Sequence, residues 1–258
     1  MLFIMFFAAF VGLIVGGPAG FLIGGLVGYA ATFVLRRSIL GGLRVLQSEL
    51  IDSTFAIMGA LCKADEVVTR GEINAVEQIM TMLRLQGEQR QRAKASFNQG
   101  KRPDFDLDAA VDRFARISRG RAPLLQLFLQ VQMMAVAADG KVDPAEHAML
   151  VRIAKRLGLS ERDVAQIEAL LRATTAGPSA RGAEPSQDRL ADAYAALGIT
   201  PDASPAEIKR AYRKLISQNH PDKLAARGLP ESMRAVAEER SRELNTAYDL
   251  IKSARKIV

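Results

Sequence analysis

Residues 204–223 read SPAEIKRAYRKLISQNHPDK and predict an amphipathic helix that ends in a rigid loop. Ser204, Pro205 and Glu207 supply an N-cap, a proline at the first helical position and the glutamate of a capping box. The helix has an apolar face formed by Ile208, Ala211, Tyr212, Leu215 and Ile216. Its opposite face, called the basic face below, carries Lys209, Arg210, Arg213 and Lys214. This spacing predicts one buried stripe and one solvent-exposed cationic surface.

The loop after this helix contains His220, Pro221 and Asp222, called the trio below. A nucleophilic triad would need a serine or cysteine held against the histidine, and nothing in the sequence supplies one. A metal site would need more ligands than one loop offers. Pro221 fixes its own φ and moves His220 out of the helical conformation. The loop is therefore a stiff recognition surface beside the basic face, and we expect no catalytic residue in it.

Two further helices complete the C-terminal region. A short amphipathic helix is marked by Leu190, Tyr194 and Leu197 and stops at Gly198, and a long helix begins at about Glu231. The inward stripe of the long helix consists of Met233, Val236, Ala237, Leu244, Ala247, Tyr248 and Ile251. Two helices joined by a short loop pack antiparallel, so we expect the trio at the exposed tip of a helical hairpin.

The sequences DAYAALGITPDASPAEIKRAYRKLISQNHPDK (192–223) and LNTAYDLIK (244–252) resemble the J domain of DnaJ-type co-chaperones. The resemblance covers residues 188–252 and implies that the trio engages a DnaK-type chaperone and stimulates its ATP hydrolysis. It also implies that the basic face, Asn219 and Lys223 belong to the chaperone-binding surface. Cations there would steer an acidic partner surface. The chain is then a non-enzymatic interaction protein.

The N-terminal segment has the composition of a membrane anchor. Residues 1–35 contain no charged side chain and exceed the roughly 20 apolar residues that cross a bilayer as a helix. A cleavable signal peptide carries positive charge before its apolar part, whereas Arg36, Arg37 and Arg44 come after it. A second span would need a tight turn at Gly17 and Pro18. We therefore predict one transmembrane helix, kinked at Pro18, with the N-terminus outside and the rest of the chain in the cytoplasm.

Glycine recurs every four residues in this segment, at Gly12, Gly16, Gly20, Gly24 and Gly28. On one helix this spacing makes a smooth stripe on which a second helix packs closely. Glycine is also common in membrane helices without such a role. The regular register favours self-association, and we predict a homodimer through the transmembrane helix.

Residues 43–172 have apolar positions at helical spacing, and a motif occurs twice within them. ADEVVTRGE (64–72) and ADGKVDPAE (138–146) share four residues at the same offsets, and each has a capping residue three positions before its glutamate. The acids of the two segments, Asp65, Glu72, Asp139, Asp143 and Glu146, could bind Ca²⁺ or Mg²⁺. Neither segment has the alternating acids of an EF-hand, so capping is the preferred interpretation and we expect no cofactor.

The longer segments KADEVVTRGE (63–72) and AADGKVDPAE (137–146) resemble the TerB family, an all-helical domain linked to tellurite resistance and envelope stress. The resemblance implies that metal-binding acids, with Ca²⁺ as a possible ligand, fall on Asp65, Glu72, Asp139 and Glu146. A metal-responsive envelope-stress sensor is accordingly the alternative function. His147 follows the second segment and has the pattern of an ordinary surface residue.

The predicted architecture is all-α. It has a transmembrane segment (1–35), a TerB-like helical domain (36–172), a flexible linker (173–187) that lets the last domain move widely, and a J domain (188–258). This order resembles membrane-anchored DnaJ-like co-chaperones of the bacterial inner membrane. The 35 Lys and Arg are interleaved with 28 Asp and Glu, a pattern of solvated helix faces that argues against nucleic acid as a partner. The single cysteine, Cys62, excludes an intrachain disulfide.

Overall fold

The computed structural model describes residues 2–65, 68–118, 121–139, 142–174, 186–226, 229 and 231–256. Side chains at 2–5, 12, 15, 34–47 and 139 lie outside this description. All regular elements in the described ranges are helical, which confirms the predicted all-α class. The chain forms two compact units, residues 1–49 and residues 50–258.

The first seven α-helices in the described ranges are α1 (Leu2–Leu61), α2 (Arg70–Met82), α3 (Gly87–Gly100), α4 (Leu107–Ser118), α5 (Ala122–Val136), α6 (Pro144–Arg156) and α7 (Glu161–Thr174). They are followed by α8 (Gln187–Leu197), α9 (Pro205–Asn219), α10 (Pro221–Ala226) and α11 (Arg234–Ala254). Short 3₁₀ turns cover Ala137–Asp139 and Glu231–Met233. Residues 50–174 are called the middle domain below, and residues 186–256 the C-terminal domain.

The first unit is a helical hairpin. Helix α1 loses helical φ and ψ at Gly16 and Gly17, and Gly17 has φ +61°. A Cβ added at Gly24 would lie 2.3 Å from the carbonyl oxygen of Ala8, so the two arms are in backbone contact. On a continuous helix these two residues would be about 24 Å apart. The prediction of one transmembrane helix across residues 1–35 is therefore wrong in this structure.

The reversal is possible because glycine adopts the left-handed conformation without steric cost. The sequence alone favours a single span, because the reversal at Gly17 and Pro18 is tight. One continuous stripe of five glycines is wrong for the same reason, since the break divides it between two arms and Gly24 packs on its own chain. In the part of the chain that the structure describes, no helix has both the length and the apolar character that crossing a membrane requires.

The second unit is organised around α5. Eleven of the fifteen residues in α5 are buried, and Leu127, Phe128 and Leu129 are completely inaccessible. A helix that is apolar on all sides has to be enclosed by other elements. The surrounding core takes side chains from α1, α2, α3, α4, α6 and α7, among them Phe55, Ile79, Phe114, Leu150 and Ile167. These helices form the middle domain.

The C-terminal domain packs directly on the middle domain. Ala193, Tyr194 and Leu197 of α8 share a buried cluster with Leu170 and Ala173 of α7. Helix α11 contacts α5 and α7 as well as α8 and α9. Residues 175–185 of the predicted linker lie outside the described residues. The buried contacts of α8 and α11 with the middle domain argue against the predicted wide movement of the C-terminal domain. The prediction of movement was based on the composition of the linker, which contains no information about the apolar faces by which α8 and α11 pack on the middle domain.

We predict that Gly24→Ala separates the two arms of the hairpin, because its new methyl group would overlap the Ala8 backbone. Gly25→Ala is the matched control, since a Cβ there meets only the Ala9 methyl group at 3.8 Å. Spin labels at Phe6 and Leu26 in the bilayer-reconstituted chain report the separation. Close labels are expected in the parent and control, and longer, broader distances in Gly24→Ala. A distance of about 30 Å in the parent would contradict the hairpin, because a straight helix places the labels that far apart.

Candidate interaction site

Helix α9 has the start and the orientation that the sequence predicts. The Ser204 side chain accepts from the Glu207 backbone N–H, and the Ser204 backbone N–H donates to Glu207 Oε2 at 2.8 Å. Ile208 is completely buried against the rest of the C-terminal domain. The Tyr212 ring stacks on Tyr248 with 4.1 Å between centroids. These contacts fix α9 on α11 and turn its opposite side to solvent.

The basic face lies on that exposed side. Lys209, Arg210, Arg213 and Lys214 are all exposed. Within the described ranges, no carboxylate lies within the 4.0 Å ion-pair distance of any of the four. Four cations that have no ion-pair partner among the described residues lie on one face of this helix, and they create a positive potential available to another molecule.

The trio forms the junction between α9 and α10. His220 has φ −62° and ψ 127°, an extended conformation that ends α9, and Pro221 occupies the first position of α10. The backbone N–H of Asp222 donates to His220 Nδ1 at 3.2 Å, so in the neutral ring the proton is on Nε2. Arg234 Nη2 donates to Asp222 Oδ1 at 3.2 Å. Local hydrogen bonds thus orient the side chains of His220 and Asp222. Both side chains remain accessible, since His220 is 50% and Asp222 71% exposed.

Asn219 and Leu224, which lie on either side of the trio, are buried and anchor it. Asn219 is 1% exposed and donates from Nδ2 to the Leu215 carbonyl at 2.8 Å. Its side chain is unavailable to a partner, so its predicted place on the binding surface does not agree with the structure. Lys223 is exposed and contacts Ser217, as a surface residue can. Leu224 is 3% exposed and holds α10 against the core.

Sequence reasoning missed the supporting roles of Arg234 and Leu224. Arg234 lies twelve positions after Asp222, a separation that no local periodicity connects. Leu224 follows the trio in a short helix that the sequence interpretation treated as loop. An isolated apolar residue directly after a predicted recognition loop was the one available signal.

Both repeated segments of the middle domain form capping boxes. The Thr69 backbone N–H donates to Glu72 Oε2 at 2.6 Å, and the Asp143 backbone N–H donates to Glu146 Oε2 at 2.9 Å. The two glutamates are buried, at 3% and 4% exposure. Capping is therefore confirmed as a role of these two side chains.

The structure also brings the Glu72 and Glu146 carboxyls together. Burial raises the pKa of Glu146 to about 7, the Asp143 backbone N–H opposes this shift, and the adjoining Glu72 carboxyl adds to it. Glu72 Oε1 is buried and has no hydrogen-bond donor among the described residues, and a proton on Glu146 would supply one. Burial also raises the pKa of the nearby Cys62 thiol, with Glu72 as the next cause.

The four acids suggested as metal ligands are only partly assembled. Asp65 is near enough to Glu146 to raise its pKa slightly, and the Asp139 side chain lies outside the described residues. Among the described side chains, no group of three His, Cys, Asp or Glu residues could hold a metal ion. His147 is exposed and its Nδ1 lies 2.6 Å from Glu168 Oε1, in a surface pair.

Two family models match the chain. The model described as Tellurite resistance protein TerB matches residues 52–169, and the DnaJ domain model matches residues 192–257. The first range contains the paired carboxyls, and the second contains the trio and the basic face.

Similar proteins named Co-chaperone protein DjlA occur in several bacteria. The protein of Photobacterium profundum is 38% identical over an alignment that covers 95% of each chain. That of Shewanella oneidensis is 37% identical over 84% of this chain and 82% of its own. One from Vibrio vulnificus is 43% identical over 80% of this chain and 78% of its own. No solved structure matches the chain significantly.

We predict that Glu146→Gln weakens the pH dependence of folding stability. The pKa of Glu146 is raised from 4.5 to about 7 in the folded state, so the folded state holds a proton that the unfolded state releases between these values. The free energy of unfolding should fall as pH rises through this window, by on the order of 3 kcal/mol from this group. Glutamine cannot titrate, yet it can still donate to Glu72.

Urea unfolding at pH 5 and pH 8 measures this effect. Glu243, whose pKa is also raised to about 7, contributes a second decrease, so the variant should lose part of the total. Glu88→Gln, at an exposed carboxyl of α3, controls for the removal of a carboxylate. An unchanged difference between the two pH values in Glu146→Gln would show that Glu146 does not hold this proton.

Proposed function

This chain belongs to the DjlA family of co-chaperone proteins, and on that premise we propose that it recruits a DnaK-type chaperone and stimulates ATP hydrolysis by that chaperone. The observation that carries the proposal is the arrangement of the C-terminal domain. An accessible and oriented trio lies at the end of α9, next to four exposed cations that have no ion-pair partner among the described residues.

The two parts of this surface have different tasks. The basic face attracts an acidic surface of the chaperone and increases the rate of encounter. The trio then presents the His220 Nε2–H group and the Asp222 carboxylate in a fixed relation, since Pro221 and Arg234 hold the loop. The groups that hydrolyse ATP belong to the chaperone, and this chain acts as a regulator without catalysis of its own.

We place the protein at the bacterial inner membrane, attached by residues 1–35 and with the C-terminal domain in the cytoplasm. This segment has no charged side chain and exposes large apolar ones, including Phe6, Phe10, Leu22 and Leu26. Arginines follow it at 36, 37 and 44, as expected for a cytoplasmic flank. Self-association of two copies stays a prediction from the sequence.

The alternative, a metal-responsive sensor, depends on the paired acids of the middle domain. Glu72 and Glu146 do meet, which is the observation in its favour. A proton on Glu146 would satisfy the buried Glu72 Oε1 without a metal ion. We therefore propose that the middle domain works without a cofactor, and that it supports the co-chaperone function.

We predict that His220→Gln abolishes stimulation of a DnaK-type ATPase. The side chain is half exposed and receives one backbone hydrogen bond, so its replacement should leave the fold intact. His147→Gln is the matched control, because His147 is the other histidine of the chain and lies on α6. Single-turnover ATP hydrolysis measures the effect, and circular dichroism checks folding. Full stimulation by a folded His220→Gln protein would refute the proposed function.

We predict that Lys209→Ala with Arg213→Ala weakens association with the chaperone in a salt-dependent manner. Exposed charges act over about 8 Å at physiological ionic strength and are screened more strongly as salt is added. The parent protein should lose activity steeply from low to high salt, and the double variant much less. Arg113→Ala with Arg116→Ala removes the same charge from exposed positions on α4 and should keep the parent's salt dependence. Equal salt dependence in all three proteins would contradict a steering role for the basic face.

A further inference from the structure

Helix α11 is buried on two faces, and each face belongs to a different core. Leu244, Ala247 and Ile251 lie in the cluster that joins α11 to α8 and α9. Val236 and Ala237 lie in the core of the middle domain. A helix that served only the C-terminal domain would need just the first of these faces. The second face is therefore a docking surface for the middle domain.

A polar network crosses this docking surface. Gln130 of α5 is completely buried; its Oε1 accepts from Arg240 Nη1 at 3.0 Å and its Nε2 donates to Glu243 Oε2. Arg240 also donates to the Gln126 carbonyl at 3.4 Å, and Gln126 Nε2 donates to Asp163 Oδ1 at 3.1 Å. Gln130, Arg240 and Glu243, called the docking network below, thus connect the two domains through both ends of one amide.

The docking network has a clear electrostatic cost. Burial raises the pKa of Glu243 to about 7, and the Arg240 guanidinium opposes that shift. Burial also lowers the pKa of Arg240 to about 10, opposed by Glu243 and Asp163. In both groups desolvation outweighs the attraction between the charges. Such a network adds little to the free energy of unfolding. If α11 slid along α5, however, buried polar groups of the network would lose their partners, so the network selects one register of docking.

The same docking supports the segment that contains the trio. Leu224, three residues after Pro221, is buried where α10 packs on α9 and α11, and it shares its apolar cluster with Met233, next to Arg234. Ser232 and Met233 line a small apolar pocket together with Leu83, Phe114 and Leu124, among others. The middle domain thus holds the segment beside Arg234, and Arg234 in turn contacts Asp222 of the trio.

We propose that the middle domain is a positioning element of the chaperone-binding site, held in register by the docking network. This inference deepens the proposed function and rests on it. The docked arrangement leaves the basic face exposed and the trio accessible, so it is the binding-competent state. Loosening the contact allows the segment after the trio to move. The chaperone then finds only the fraction of molecules in which the loop is in place, and apparent affinity falls by that fraction.

Two completely buried glutamines on α5 provide a matched pair of variants. Gln130→Leu leaves Arg240 and Glu243 without their shared partner, whereas Gln132→Leu removes a hydrogen bond to the Thr54 carbonyl inside the middle domain. Both changes replace a buried amide by a side chain of similar size on the same helix. The first affects docking, and the second affects the middle domain alone.

The test uses the full-length protein and two measurements. Hydrogen exchange at the Leu224 and Leu229 amides, which donate to the His220 and Leu224 carbonyls, reports whether the segment after the trio is held. Stimulated ATP hydrolysis against co-chaperone concentration gives the half-maximal concentration and the maximum. For Gln130→Leu we expect faster exchange and a roughly ten-fold higher half-maximal concentration with an unchanged maximum. Gln132→Leu should keep the parent's exchange at these amides and its half-maximal concentration.

A rescue separates positioning from general destabilisation. Adding Arg240→Met and Glu243→Leu to Gln130→Leu makes the docking surface apolar, which should restore both measurements towards the parent values. Unchanged exchange in Gln130→Leu, or faster exchange with an unchanged half-maximal concentration, would overturn the inference while leaving the proposed function in place. A parent protein that stimulates no DnaK-type ATPase would overturn the proposed function, and this inference with it.

Discussion

The enclosure of α5 is the constraint on which the second unit depends. This helix is apolar on nearly every side, so it is stable only when other helices surround it. It also carries two completely buried amides, and each of them requires a partner. Gln132 donates to the Thr54 carbonyl of α1, while Gln130 donates to Glu243 and accepts from Arg240 of α11. The need to satisfy one buried side chain thereby ties the C-terminal domain to the middle domain.

Local signals in the sequence predicted much of this fold and of the candidate site. The start of α9 at Ser204 and its buried Ile208 follow from capping and helical spacing, both of which act within a few residues. The same holds for the capping boxes at Glu72 and Glu146. The extended conformation of His220 follows from the proline after it. Each of these features is decided by chemistry that neighbouring residues contain.

The features that the sequence did not predict depend on contacts between distant residues. The reversal at Gly17 brings Ala8 against Gly24. Spacing patterns along the chain indicate how tight the turn is, but they do not indicate this contact. The burial of Asn219 and the contact of Asp222 with Arg234 need the packed hairpin before they can be seen. The docking network joins residues 110 or more positions apart. Its members looked like ordinary polar residues of solvated helix faces, because nothing local distinguishes an exposed arginine from one that a second domain covers.

The second buried face of α11 also limits how modular this protein is. A C-terminal domain taken from a free-standing co-chaperone would have evolved with that face in water, where charged residues at 236, 240 and 243 incur no penalty. If such a domain were joined to this middle domain, its charged residues would be buried against Gln130 and the surrounding apolar core without partners. Chimaeras that exchange the two domains between co-chaperones therefore have to exchange α5 and α11 as a pair. The unit that can be exchanged is thus bounded by the contact between α5 and α11, rather than by the chain between residues 174 and 186.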